Sequence, residues 1–140
     1  MRLVMDTNVI VAGACSHTGA SRFWINSILS GNNTLLLTVP LVVEYEAVLK
    51  RPEIIAKSKL DASAVDILID ELCLVAETVD MNFLWRPTLG DPNDEMVLET
   101  AFLGRADVLL TFNLKDFAPA ATLGVTVSRP GPAWTQFMKG

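Results

Sequence analysis

The chain has 140 residues and a formal net charge of −5, with 51% hydrophobic and 19% charged residues; that is enough apolar material for one ordinary domain and too much for a disordered chain. The acidic balance argues against a passive nucleic-acid binder, which needs a basic footprint, but not against an enzyme that recruits divalent cations to the place where a phosphate sits. No apolar run approaches the roughly 20 residues of a membrane span, no signal-peptide pattern opens the sequence, and two separated cysteines, Cys15 and Cys73, cannot build a disulfide framework or a zinc site, so the expected location is a reducing cytoplasm.

Leu3–Met5 is a short apolar run that ends abruptly at Asp6-Thr7-Asn8, the pattern of a buried strand running into a polar loop. From Gly19 to about Leu29, apolar residues recur at near-helical spacing, and Gly31-Asn32-Asn33 supplies a stop. Leu35–Val39 reads as a second buried strand, and Pro40 opens a helix through Lys50, proline being tolerated in a first helical turn. Asp61 is placed to cap an amphipathic helix carrying Val65, Leu68, Ile69 and Leu72. Leu74–Val79 reads as the third strand and Asp80–Gly90 as loop. Asp91-Pro92-Asn93-Asp94 then leads into a helix with Met96, Val97, Ala101 and Phe102 on its apolar face. Val108–Thr111 is the fourth strand, Leu123–Val127 holds a fifth, and Pro132–Met138 is a terminal helix or a fraying tail. Short apolar strands alternating with helices predict one α/β domain, residues 1–140, with a parallel sheet covered on both faces.

In open parallel sheets, sites form at the carboxyl ends of strands near the point where strand order reverses. Asp6, Thr7 and Asn8 follow the first strand, Glu44 lies about one turn into the helix after the second, Asn113 and Asp116 follow the fourth, and Asp91 and Asp94 open the helix that precedes it. Carboxylates gathered so closely repel one another unless a divalent cation sits among them, and carboxylate oxygens suit Mg²⁺ or Mn²⁺. With His17 as the only histidine and no thiolate pair, zinc is disfavoured. The chemistry expected of such a centre is phosphoryl transfer or phosphodiester hydrolysis. Asp6, Asp94 and Asp116 are the expected metal ligands, and Glu44 a ligand through water or a base that orients it. Thr7 and Thr111 are placed to hydrogen-bond carboxylates or a phosphate, with Asn8 and Asn113 beside them.

This pattern resembles the PIN-domain family, and within it the toxin components, including the VapC type, of bacterial and archaeal toxin–antitoxin systems. The residues that carry the resemblance are Asp6-Thr7-Asn8, Glu44 in the second helix, Arg51-Pro52, Asp91-Pro92-Asn93-Asp94 with Val97 and Ala101, and Thr111-Phe112-Asn113 with Asp116-Phe117. The resemblance runs from Arg2 to about Pro130. It implies a Rossmann-like, three-layer sheet of order 3-2-1-4-5, Mg²⁺ or Mn²⁺ dependence and endonucleolytic cleavage of RNA. For the toxin members it also implies a homodimer and inhibition by a small antitoxin. Residue by residue, Asp6, Glu44 and Asp94 take the first three acidic positions. The fourth departs from the pattern: many members carry Asp where this chain has Asn113, so Asp116, three residues later, competes for that position. Asn113 is the feature that favours an alternative, a PIN-like interaction module with weakened or lost cleavage.

Other features read as structural. Asp91 is a helix cap before Pro92, and Glu46 lies on a solvated face. Cys15, Ser16 and His17 lack a third orienting group for nucleophilic catalysis. Trp24, Trp85 and Trp134 read as packing residues, with Trp85 and Arg86 also able to touch RNA. Lys50, Arg51, Lys57 and Lys59 form the one local basic cluster, a solvated helix end or a phosphate-contacting edge. A haloacid-dehalogenase-type phosphatase wants Asp-x-Asp after its first strand, where this chain has Asn8, and a receiver domain wants an acidic pair there; both fit poorly.

Overall fold

A computed structural model describes residues 1–81, 87 and 89–139. Five strands, β1 (Arg2–Met5), β2 (Thr34–Leu37), β3 (Glu77–Thr78), β4 (Val108–Leu110) and β5 (Val127–Ser128), pair in parallel in the order β3-β2-β1-β4-β5. The three central strands are fully apolar in their middle and almost wholly buried, as a sheet covered on both faces requires. The helices are α1 (Thr7–Cys15), α2 (Ala20–Leu29), α3 (Val39–Leu49), α4 (Pro52–Ser58), α5 (Ala62–Val75), α6 (Pro92–Leu103) and α7 (Pro130–Trp134). Right-handed crossovers place the helices between β1, β2 and β3 on one face and α6, which returns the chain from β3 to β4, on the other. Accordingly α5 packs on β2, whereas α6 packs on β1, β2 and β4 together with a 3₁₀ segment, Leu114–Leu123.

The fold class and strand order are those expected from the sequence, but several elements differ. Asp6-Thr7-Asn8 does not open a loop. Asp6 is the N-cap of α1, and its carboxylate accepts the Thr7 N–H, so Cys15 ends a helix rather than lying in a connection. Leu74 and Val75 belong to the end of α5, and the third strand is only the exposed pair Glu77–Thr78. Val39 begins α3, Leu123 ends the 3₁₀ segment, and β5 starts at Val127. Helix α4 was not foreseen. Trp24 and Trp134 pack edge to face, and the Trp24 indole donates to the Pro130 carbonyl at 2.9 Å. Trp85 and Arg86 lie outside the described residues.

The α6–β4 turn shows how tightly the layers meet. Gly104 ends α6 where an added Cβ would stand 2.7 Å from Leu36 Cδ1 and 2.9 Å from both the Thr100 carbonyl and Val79 Cγ2. Because one of these neighbours is backbone, the clash is not relieved by rotating side chains alone. Gly104→Ala is therefore expected to cost about 1–3 kcal/mol in urea denaturation. Gly131→Ala, where the new Cβ meets nothing within 4 Å, should be neutral or stabilising by up to about 1 kcal/mol.

Candidate active site

Strand order reverses at β1, between β2 and β4, and the crevice beyond their carboxyl ends is where an open α/β sheet offers a site. The backbone fixes its floor: the Asp6 N–H donates to the Leu110 carbonyl at 2.8 Å, and the Thr111 N–H to that of Ser128 at 3.0 Å. The residues following β1, β4 and β5 thus stand side by side. Asp6 is 7% exposed. One carboxylate oxygen accepts the Thr7 N–H at 2.8 Å and the other the Thr111 hydroxyl at 2.7 Å. Thr111, fully buried, in turn accepts the Asn113 N–H at 3.0 Å. Burial pushes the Asp6 carboxyl above its ordinary range, the Thr111 and Thr7 hydrogen bonds oppose that, and the charges of Asp116 and Asp91 add to it.

Asp94 lies in the first turn of α6, whose N-cap is Asp91; the Asp91 carboxylate accepts the Asn93 N–H at 2.7 Å and the Asp94 N–H at 3.3 Å. A helix N-terminus ordinarily favours a carboxylate. Here burial, followed by the charges of Asp6, Asp91 and Asp116, outweighs that preference and raises Asp94 to about 6. Asp116 is exposed, in the first turn of the 3₁₀ segment, with its N–H on the Asn113 carbonyl.

The structure thus brings Asp6, Asp94 and Asp116 into one electrostatic neighbourhood, with Asp91 as a fourth member that the sequence reading left as a cap. It is both. Asn113 contributes its backbone to Thr111, and its side chain is exposed without a hydrogen bond among the described residues. Of the two candidates for the fourth acidic position, Asp116 is the one whose charge reaches the others. Glu44 sits half-buried on α3 and is not among the charges acting on Asp6 or Asp94. Its neighbour Tyr45 is the residue that sequence reasoning missed. The buried Tyr45 hydroxyl donates to the Met5 carbonyl, the last of β1, and burial together with the Asp6 charge holds the phenol neutral, well above its usual pKa. The signal was the buried stripe Leu41, Tyr45, Val48, Leu49 on α3.

Elsewhere, Lys50 is engaged with Glu46 at 2.7 Å and Asp66 at 2.6 Å, a tie between α3 and α5 that accounts for it structurally. Ser16 and His17 are exposed and Cys15 half-buried, with no side-chain hydrogen bond among the described residues.

The donor set fits Mg²⁺ or Mn²⁺ in kind: carboxylates such as Asp94, raised first by burial and then by the charges of Asp6, Asp91 and Asp116, are groups a hard cation stabilises as anions. Among the described residues, no three His, Cys, Asp or Glu side chains are grouped closely enough to cage an ion. Mg²⁺ sites commonly use one or two carboxylates with waters and substrate phosphate, so the fit holds without such a cage. Asp6 and Asp94 are the residues that would hold it, and Asp116 is the further carboxylate whose charge reaches both.

Comparison with known proteins bears on this arrangement. The sequence matches the PIN domain family over residues 2–115. No curated protein matches it. Among solved structures it is similar to VapBC2 from Rickettsia felis bound to a DNA fragment from their promoter, with a TM-score of 0.61 and 17% identity, over 92% of this chain and 98% of that one. At that identity the likeness shows the fold.

The crowding of carboxylates makes a measurable prediction. Asp94 has a folded pKa of about 6 against an ordinary 3.8, so the native state binds the proton more tightly than the unfolded chain. Its contribution to metal-free stability is fully present below about pH 4 and is lost as pH rises through 6. Asp94→Asn should therefore raise the urea midpoint at pH 7.5 in chelator and leave it nearly unchanged at pH 4. Equal effects at the two pH values would show that Asp94 is not crowded.

Proposed function

Because the chain belongs to the PIN domain family, we propose that it is a metal-dependent endoribonuclease, hydrolysing phosphodiester bonds in RNA, and that it is the toxin component of a type II toxin–antitoxin pair. The observation that carries the catalytic reading is Asp6, buried at the strand switch point, fixed by Thr111, and crowded by Asp94, Asp91 and Asp116. A protein gains nothing for stability from such crowding, and an acidic centre of this kind has a use when Mg²⁺ or Mn²⁺ occupies it.

In this reading Asp6 and Asp94 hold the ion and Asp116 closes the site from the 3₁₀ segment. When bound, the ion polarises the phosphoryl group and lowers the pKa of water. Thr111 keeps the Asp6 carboxylate in one orientation by donating to one oxygen while the Thr7 N–H occupies the other, leaving lone pairs on both directed elsewhere. Glu44, one turn into α3, takes the outer position, orienting the attacking water or accepting its proton. The fold shared with VapBC2 and the toxin-like motifs support a small antitoxin as partner; a homodimer acting in the cytoplasm is the further part of the proposal, carried by the motifs alone.

The reading is tested with labelled single-stranded RNA and tRNA in Mg²⁺, Mn²⁺ or chelator, using protein freed of any co-purifying partner. Cleavage should require the cation. Asp6→Asn and Asp94→Asn should each lose about a hundredfold or more, and Thr111→Val about 10–100-fold through misorientation of Asp6. Asp116→Asn should cost more than Asn113→Ala. Intact RNA under every condition would sink the proposal.

A second reading, the interaction module, is favoured by Asn113 and by the absence, among the described residues, of a three-carboxylate cage. Calorimetry separates the two. Mn²⁺ binding that disappears in Asp6→Asn supports the enzyme, and no Mn²⁺ heat in the parent supports the module.

A further inference from the structure

Beside the acidic crevice lies a cavity of about 440 Å³ of different chemistry, bounded by Ser21, Phe112, Arg129 and the turns around Gly19 and Gly131. Its position follows from the sheet. Arg129 follows β5 as Thr111 follows β4 and Asp6 follows β1, with Thr111 N–H bonded to Ser128 and Asp6 N–H to Leu110. Two strand spacings, about 10 Å, therefore separate Asp6 and Arg129 along the carboxyl edge.

We propose that this cavity is a nucleotide subsite, receiving the phosphate and base of the substrate nucleotide next to the scissile bond. The inference rests on the ribonuclease reading and adds to it the place where the strand is held. Arg129 is exposed and makes no ion pair among the described residues, so its guanidinium is available to a phosphate. Helix α2 begins at the same wall. Gly19 offers no side-chain cap, so the Ala20 and Ser21 N–H groups have no acceptor within the helix, while the Arg22 N–H bonds the Gly19 carbonyl. Ser21 stands on the same wall, 5% exposed and lining the cavity, with a hydroxyl able to donate to a phosphate. Phe112, 41% exposed on the same rim, presents an aromatic face on which a base can stack.

The walls are held in place without the ligand. The Trp24 indole on α2 donates to the Pro130 carbonyl, and Trp134 packs against both Trp24 and Phe23. These contacts lock the start of α2 against α7, so binding orders little of the protein.

The test measures binding apart from cleavage. Full-length Asp94→Asn protein is titrated into a fluorescein-labelled single-stranded RNA of mixed sequence, by anisotropy, at several salt concentrations. Adding Arg129→Gln should weaken binding about tenfold and lower the slope of log K against log salt by about 0.7, the value of one phosphate contact on a single strand. Arg129→Lys should restore the slope. Phe112→Ala should weaken binding about tenfold with the slope unchanged. Both side chains are exposed, and unchanged thermal midpoints will show that the variants fold. If the parent binds RNA and both variants bind it equally well with the same slope, the subsite is wrong while the ribonuclease reading stands. If the parent binds no single-stranded RNA, this inference fails, while the ribonuclease reading is decided separately by the cleavage assay.

Discussion

The hydrogen bond from the Thr111 hydroxyl to the buried Asp6 carboxylate is the contact on which the rest of the crevice depends. Asp6 leaves β1 at the one point in the sheet where neighbouring connections diverge to opposite faces, and it has two tasks there. It caps α1 through Thr7, and it presents a charge at a position only 7% exposed. An isolated buried carboxylate would take up a proton. The donors of Thr7 and Thr111 counter part of that tendency, and they also fix which way the oxygens face. Thr111 can do this because β4 pairs directly with β1, so the hydroxyl comes from a rigid strand end rather than a loop. Tyr45 secures the same place from the other side by donating to Met5, which ties α3 to the end of β1.

From this anchor the arrangement of the other acids follows. α6 crosses the opposite face to α5 and brings its N-terminus to the carboxyl end of the sheet, so Asp91 and Asp94 approach Asp6 with a helix dipole behind them. That dipole and the Asp91 cap settle the helix start. They do not offset burial and three neighbouring charges on Asp94. The Asp91 carboxylate is spent on two N–H groups, which suits a residue that shapes the site's field while keeping α6 in register. The Asp94 carboxylate makes no side-chain hydrogen bond among the described residues. Division of labour between two aspartates three residues apart is therefore set by which one the helix needs as its cap.

The sequence made the centre of this fold legible and its edges much less so. β1, β2 and β4 are continuous apolar runs that end at polar residues, and the acids after them mark the site; buried parallel strands advertise themselves in this way. β3 does not, because the edge strand is the exposed pair Glu77–Thr78, while the more apolar Leu74 and Val75 before it are 84% and 41% exposed at the end of α5. Hydrophobicity there pointed to the wrong residues. α1 was hidden for a different reason. Val9, Ile10 and Val11 are β-branched and carry little intrinsic helix preference, and Asp-Thr-Asn is also good turn chemistry; the buried Asp6 cap decides for helix. In the candidate crevice, residue types and spacings point to Asp6, Thr111 and Asp94, whereas only the three-dimensional arrangement separates Asp116 from Asn113 by the reach of its charge and brings Tyr45 and Asp91 alongside.

The carboxyl edge of the sheet is consequently divided by charge. The residues after β1 and at the start of α6 concentrate negative charge in a partly buried crevice, where the low surrounding polarisability strengthens repulsion. The residue after β5, Arg129, is cationic and stands beside the uncapped start of α2. A polyanion approaching a chain of net charge −5 meets no general attraction, so whatever holds it must be local. In the proposed reading two local features would do so in opposite ways: a cluster of carboxylates that becomes hospitable to phosphate only through a cation, and an adjoining cavity hospitable to phosphate by itself. Placed two strand spacings apart on one rigid sheet, they would favour a strand bound at both together over one bound at either alone. The separation of the two is set by strand pairing rather than by flexible loops, so the geometry is held before any strand arrives.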